Sequence, residues 1–104
     1  MTRYARKTDA NHADIRNALR SLGFDVLDLS AAGGGVPDLL VSLRPPRLAG
    51  RPHFLELKDG DKPLSAQALT PAQEIWHRLA WGITSKVRSI EEAIEALEWA
   101  EGRA

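Results

Sequence analysis

Three charged residues sit in short apolar stretches where a purely structural strand would gain from neutral ones. They are Asp38 in Val36-Pro37-Asp38-Leu39-Leu40-Val41, and Glu56 and Lys58 in His53-Phe54-Leu55-Glu56-Leu57-Lys58. The two-residue period of a strand puts Asp38, Leu40 and Ser42 on one face and Leu39, Val41 and Leu43 on the other. In the second stretch Phe54, Glu56 and Lys58 share a face, against Leu55 and Leu57. If residues 44–52 close an antiparallel hairpin, the start of the first strand lies beside the end of the second, and Asp38 comes next to Glu56 and Lys58. Two carboxylates about 4–6 Å apart resist joint ionisation unless a cation joins them. With oxygen ligands and no cysteine in the chain, the expected ion is Mg²⁺ or Mn²⁺. Lys58 is then free to polarise a phosphate or hold a water, an arrangement suited to phosphodiester hydrolysis.

The elements that must position these groups follow from periodicity and caps. From about Asn11 to Leu22, the set Ile15, Ala18, Leu19 and Leu22 has helical spacing, with Asp9 or Asn11 as cap and Gly23 as terminator. Asp14 lies in its first turn, where the helix dipole favours an acid. Phe24 to Leu29 alternates as a first strand. Ala31-Ala32-Gly33-Gly34-Gly35 then precedes Val36-Pro37 and another strand, not a helix, so a dinucleotide or P-loop reading fails. Gly34 and Gly35 leave backbone exposed beside Asp38 for a polyanion to approach, or else form a plain turn. Pro37 opens the second strand, where a missing N–H costs least. After Lys58 a turn cluster and a polar loop lead to Leu69, with Lys62 a candidate phosphate contact.

Thr70-Pro71-Ala72-Gln73 is a helix start with Thr as cap, Pro at the first helical position and Gln73 as capping-box partner. Its apolar stripe is Ala72, Ile75, Trp76, Leu79 and Ala80, and Gln73 lies on the side of Trp76 and His77. Gly82 ends that helix, Ile83 to Arg88 is a short strand, and Ser89 with Glu92 makes a second capping box before a helix from Ile90 to about Glu101. Its stripe Ile90, Ala93, Ile94 and Leu97 is core. Trp99 falls off the stripe and Trp81 sits at a helix end, positions that suit either a dimer contact or partial burial against a terminus. His12, His53 and His77 have no zinc-ligand spacing; His77 is the best placed of them for a general base, against the reading of a partly buried polar side chain.

At 104 residues the chain reads as one α/β domain, 1–104, with residues 1–8 a flexible basic arm. Its order is α-β-β-β-α-β-α, a small mixed sheet flanked by helices. No apolar run is long enough for a membrane span and the first residues lack a secretory pattern, so the cytoplasm is the expected compartment. The net charge of +0 argues against reliance on nonspecific DNA affinity. The charge is unevenly placed, however. Arg3, Arg6 and Lys7 form the arm, Arg44, Arg47 and Arg51 lie in the hairpin connection, and Glu91, Glu92, Glu95, Glu98 and Glu101 gather near the C-terminus. DNA would approach the basic side; otherwise these are solvated surfaces.

Pro37-Asp38 followed by Glu56-Leu57-Lys58 resembles the PD-(D/E)xK nuclease superfamily. Gly-Val-Pro-Asp-Leu-Leu-Val, Leu-Glu-Leu-Lys-Asp-Gly and Leu-Thr-Pro-Ala-Gln-Glu-Ile-Trp are similar to the small phage-type VRR-NUC nucleases related to Holliday-junction resolvases. The resemblance implies a restriction-endonuclease-like core and a Mg²⁺- or Mn²⁺-dependent DNA endonuclease. Asp38, Glu56 and the Leu57 carbonyl would be metal ligands, Asp14 a further ligand or a group beside the metal, Lys58 the residue that positions water, and Gln73 an active-site residue. It also implies branched DNA as substrate and a homodimer making paired cuts. The alternatives are a silent nucleic-acid- or protein-binding module on the same fold, against which the intact Asp38, Glu56 and Lys58 speak, and a nuclease acting on plain duplex.

Overall fold

The computed structural model describes residues 11–42 and 52–102. Arg3, Arg6, Lys7 and Asp9, and with them Leu43, Arg44, Arg47 and Arg51 of the hairpin connection, lie outside the described residues. The chain runs through helix α1 (His12–Ser21), strands β1 (Asp25–Asp28), β2 (Leu39–Ser42) and β3 (Pro52–Leu57), helices α2 (Leu64–Gln67) and α3 (Pro71–Leu79), strand β4 (Thr84–Val87) and helix α4 (Ile90–Gly102). The one-turn helix α2 stands where a polar loop was expected. Gln67 holds that segment, its buried amide donating to the carbonyls of Gly60 (3.3 Å) and Lys62 (2.6 Å). No helix among the described residues is long and apolar enough to cross a membrane.

The strands form one mixed sheet in the order β1-β2-β3-β4, with the first two pairings antiparallel and the last parallel. Alternation sorts its two faces. Leu39, Val41, Leu55, Leu57 and Val87 turn to one side and are buried with Ile15 and Leu19 of α1 and Ala93, Leu97 and Ala100 of α4. Helix α3 covers the opposite face, where Trp76 meets Phe54 with ring centroids 6.1 Å apart.

Local signals explain the ends of the elements. After α1, the Gly23 amide bonds the Arg20 carbonyl and the Phe24 amide the Leu19 carbonyl, a Schellman ending that Gly23 permits at φ 98°. The turn directs Leu22 outward, 57% exposed, although its spacing put it on the apolar stripe. Thr70 and Gln73 form the expected capping box. Before α4 only half of the second box forms. The Glu92 amide donates to Ser89 Oγ (3.1 Å), but the Glu92 carboxylate takes the amide (2.8 Å) and the guanidinium (2.6 Å) of Arg88, where the charge-assisted bonds hold it.

Asn11 was expected only as a cap. Its side chain makes no cap bond. Instead Nδ2 donates to the carbonyls of Lys58 (3.1 Å) and Arg88 (2.8 Å), pinning the start of α1 to the ends of β3 and β4. Nearby, Asp28 accepts from Arg16 (2.9 Å), from the Ser30 hydroxyl (2.6 Å) and from the Ser30 amide (3.0 Å), and its Oδ2 lies 3.1 Å from His12 Nε2. Burial alone would raise the Asp28 pKa; these bonds outweigh it and hold the carboxyl well below its usual range.

His53 is buried in the core, 2.9 Å from Ser85 Oγ, and burial lowers its pKa from 6.5. The unfolded chain therefore takes up a proton before the folded one does. The stability this neutral imidazole contributes is present above pH 6.5 and lost as pH falls below it, with a slope approaching about 1.4 kcal/mol per pH unit. Thermal midpoints at pH 7.5 and 5.5 should show this as a drop that His53→Gln diminishes; equal midpoints for the unaltered chain would contradict it.

Candidate active site

The β2–β3 register builds the site. Leu39 pairs with Leu55 and Leu40 with Phe54, so one step outward Asp38 faces Glu56. Opposite residues of an antiparallel pair have Cβ atoms about 4.5–5.5 Å apart. Asp38 is held there from two sides: its Oδ2 accepts the Leu57 amide at 2.8 Å and its own carbonyl accepts the Leu29 amide at 2.7 Å. Pro37 before it is fully buried.

Asp38, Glu56, Lys58 and Gln73 are all buried, each less than a tenth exposed. Burying charges costs several kcal/mol per ion unless partners compensate. Gln73 supplies part of that compensation. Its Nε2 donates to Glu56 Oε2 (3.2 Å) while its Oε1 accepts from Lys58 Nζ (3.0 Å), so one amide spans the acid and the base. The same Oε1 accepts the Thr70 amide (2.9 Å). The capping role and the position beside the charged pair are therefore held by one side chain at once.

This contact also shows which side of α3 faces the sheet. Gln73, Trp76, His77 and Ala80 are buried or half-buried, whereas Ile75 and Leu79 of the expected apolar stripe are 52% and 79% exposed. The sheet presents Glu56 and Lys58 here, so the polar side of the helix satisfies it better than an aliphatic one. His77 is half-buried one turn beyond Gln73. Burial, then the charges of Lys58 and Lys86, lower its pKa, and its Nε2 is buried with no hydrogen-bond partner among the described residues.

The two glycines before Asp38 sit in different surroundings. Gly34, at φ 64°, is exposed to open space. Gly35, at φ 83°, is half-buried, and a Cβ there would fall 2.5 Å from the Ala72 carbonyl carbon and oxygen. It seats the loop before Asp38 against the first turn of α3, which carries Gln73. Lys62 is exposed.

Asp14 is exposed in the first turn of α1. Among the described residues no group of three or more histidine, cysteine or acidic side chains comes together to hold a metal ion. The acidic set at the site is thus the pair Asp38 and Glu56, both with oxygen donors. Such a pair fits Mg²⁺, which is commonly bound by one or two carboxylates with water and substrate phosphate completing the shell.

The sequence analysis did not find the tie from Asn11 to Lys58 and Arg88 or the His12–Asp28–Arg16 cluster, which join positions 12 to 77 residues apart, nor the local bonds of Gln67 to Gly60 and Lys62. Compared with family models, with curated proteins and with solved structures, the chain has no significant match in any of the three.

Proposed function

We propose that the chain is a metal-dependent endonuclease that hydrolyses phosphodiester bonds in DNA. The observation that carries the reading is Asp38 opposite Glu56 on adjoining strands, with Lys58 two residues beyond Glu56 on the same face and Gln73 bonded to both Glu56 and Lys58. The resemblance of Pro37-Asp38 and Glu56-Leu57-Lys58 to PD-(D/E)xK nucleases supports it, as does an α/β sheet whose central hairpin bears the three charges. Asp38, Glu56 and the Leu57 carbonyl are the groups that would hold Mg²⁺ or Mn²⁺. When bound, such an ion neutralises charge on the phosphate and lowers the pKa of coordinated water.

The chain's own groups have separate tasks. Lys58 positions the attacking water or a phosphate oxygen, and Gln73, anchored by the α3 cap, holds the Lys58 ammonium in place. The Leu57 amide fixes one oxygen of Asp38 and leaves the other for the ion. Asp14, exposed in the first turn of α1, would be a further ligand or act through water beside the ion. Branched DNA is the proposed substrate, by likeness to the junction resolvases.

The test is cleavage of labelled four-way junction, flap, single-stranded and plain duplex DNA by the purified chain in Mg²⁺, Mn²⁺ or EDTA. Cutting in either metal and none in EDTA is the expected result, with the junction or flap preferred. Equal cutting of plain duplex would remove the branched-substrate part. Binding of DNA without cutting in either metal would replace the enzyme with a binding module, the reading that the zero net charge alone favours.

A further inference from the structure

Lys86 lies beside Glu56 in the parallel β3–β4 register, and Thr84 beside Phe54, so by strand alternation both stand on the face that α3 covers. Besides burial, the charges of Lys58 and Lys86 both lower the pKa of His77 on α3, so the two ammonium groups lie near one ring. Lys58 is buried, but Lys86 is exposed. β4 is the last strand of the sheet on this side among the described residues, and a groove of about 1140 Å³ runs along it. Lys86 lines that groove with Leu64, Trp81 and, on the α4 wall, Trp99. Trp81, in the turn between α3 and β4, is 86% exposed. An indole left in water to that extent gives the fold almost none of its apolar burial.

We infer that this groove seats an unpaired DNA strand leaving the cleavage site, with a phosphate on Lys86 and a base stacked on Trp81. The inference rests on the nuclease reading for where the strand begins, at Asp38 and Glu56, and adds the path it follows. Neighbouring strands lie about 4.7–4.9 Å apart, so Lys86 stands one strand's width from Glu56 and joins the groove to the acid pair. A single strand offers a charged backbone together with free π-faces, and a lysine followed by an exposed indole answers both. Bases inside a duplex have no free face to stack. The glutamates of the groove set its course without closing it. Glu92 is held by Arg88 at 2.6 Å, and Glu95 stands with Trp99 on α4, the helix packed against the opposite face of the sheet. They keep a polyanion to the Lys86 and Trp81 side. An extended peptide pairing with β4 would draw nothing from the continuity with Glu56.

Fluorescence anisotropy of a labelled oligothymidylate of about 12 nucleotides, beside a matched duplex, tests it in EDTA, where nothing is cut; flap cleavage in Mg²⁺ or Mn²⁺ follows. The unaltered chain should bind the single strand with quenching of its tryptophan emission. Trp81→Ala should weaken that binding about 10- to 100-fold, and Trp81→Phe much less, since a phenyl ring still stacks. Lys86→Ala should weaken it and lower the logarithmic salt slope by about 0.7, the share of one phosphate contact on a single strand. Both positions are exposed, and far-UV circular dichroism checks that the variants fold. Single-strand affinity and flap cleavage that survive Trp81→Ala and Lys86→Ala overturn the inference and leave the nuclease standing. Binding that both variants weaken, in a chain that cuts nothing, upholds the groove and removes the nuclease. Emission that responds to protein concentration or to an added apolar peptide, but not to oligothymidylate, also overturns the inference, because a second copy or a partner segment then covers Trp81.

Discussion

Lys58→Ala is expected to lower metal-dependent cleavage by a factor of about 10³ and yet to leave metal binding intact or stronger. The reason lies in the charge balance of a buried group. Lys58 brings a positive charge to the face that Glu56 shares, and its Nζ is set by Gln73 Oε1 at 3.0 Å. Removing it takes away the group aimed at water or phosphate and one positive charge beside the two carboxylates, which then attract a divalent ion more. Glu56→Gln does the reverse: it keeps the side chain's size and a hydrogen bond to Gln73 but deletes half of the acidic pair. A saturating ion that binds only the folded state stabilises it by about 2.7 kcal/mol at 100 times its Kd. Scanning calorimetry with and without Mn²⁺ should therefore show the upward shift kept or enlarged in Lys58→Ala and lost in Glu56→Gln, with cleavage lost in both. A Glu56→Gln variant that retained the Mn²⁺ shift would show that the ion is held elsewhere.

Gly35→Ala should be the most destabilising single-methyl change in the described part of the chain. Two effects add. At φ 83° an L-residue is strained by about 1–2 kcal/mol, and the added Cβ would sit 2.5 Å from the Ala72 backbone, where no side-chain rotation relieves it. Overpacking of this kind costs about 1–3 kcal/mol more. Gly34→Ala is the matched control, since at φ 64° it carries similar strain but meets open space. A 1 kcal/mol loss lowers the midpoint of a domain this size by about 4–8 °C. The Gly35 variant should therefore melt well below the Gly34 variant, and equal midpoints would refute the close approach. Because Ala72 precedes Gln73, the Gly35 variant should also lose cleavage at temperatures where it remains folded.

How much of this was readable beforehand divides along the range of the interaction. The alternation of Leu39-Leu40-Val41 and Leu55-Glu56-Leu57-Lys58 placed the three charges on one face, because a strand's period depends on neighbours alone. The antiparallel hairpin then allowed only registers that keep the apolar face buried, which brought Asp38 to Glu56. Gly23, Thr70, Pro71 and Gln73 marked helix ends for the same reason: a cap is a bond between residues three or four apart.

The rotation of α3 was not readable. Of its expected stripe Trp76 and Ala80 are half-buried but Ala72, Ile75 and Leu79 are exposed, because the surface α3 meets bears Glu56 and Lys58, so Gln73 and His77 turn inward. Nor could chain spacing show that Asn11 ties α1 to Lys58 and Arg88, that His12 pairs with Asp28, or that Trp81 and Trp99 line one groove. By itself, the order of residues determined the strands, the caps and the charged face of the hairpin, since these follow from steric and hydrogen-bonding rules acting within a few residues. Only the tertiary structure decided which side of α3 closes the site, that Asp14 is exposed on α1, and that Trp81 and Trp99 line one groove, since these depend on which surfaces of distant segments satisfy one another.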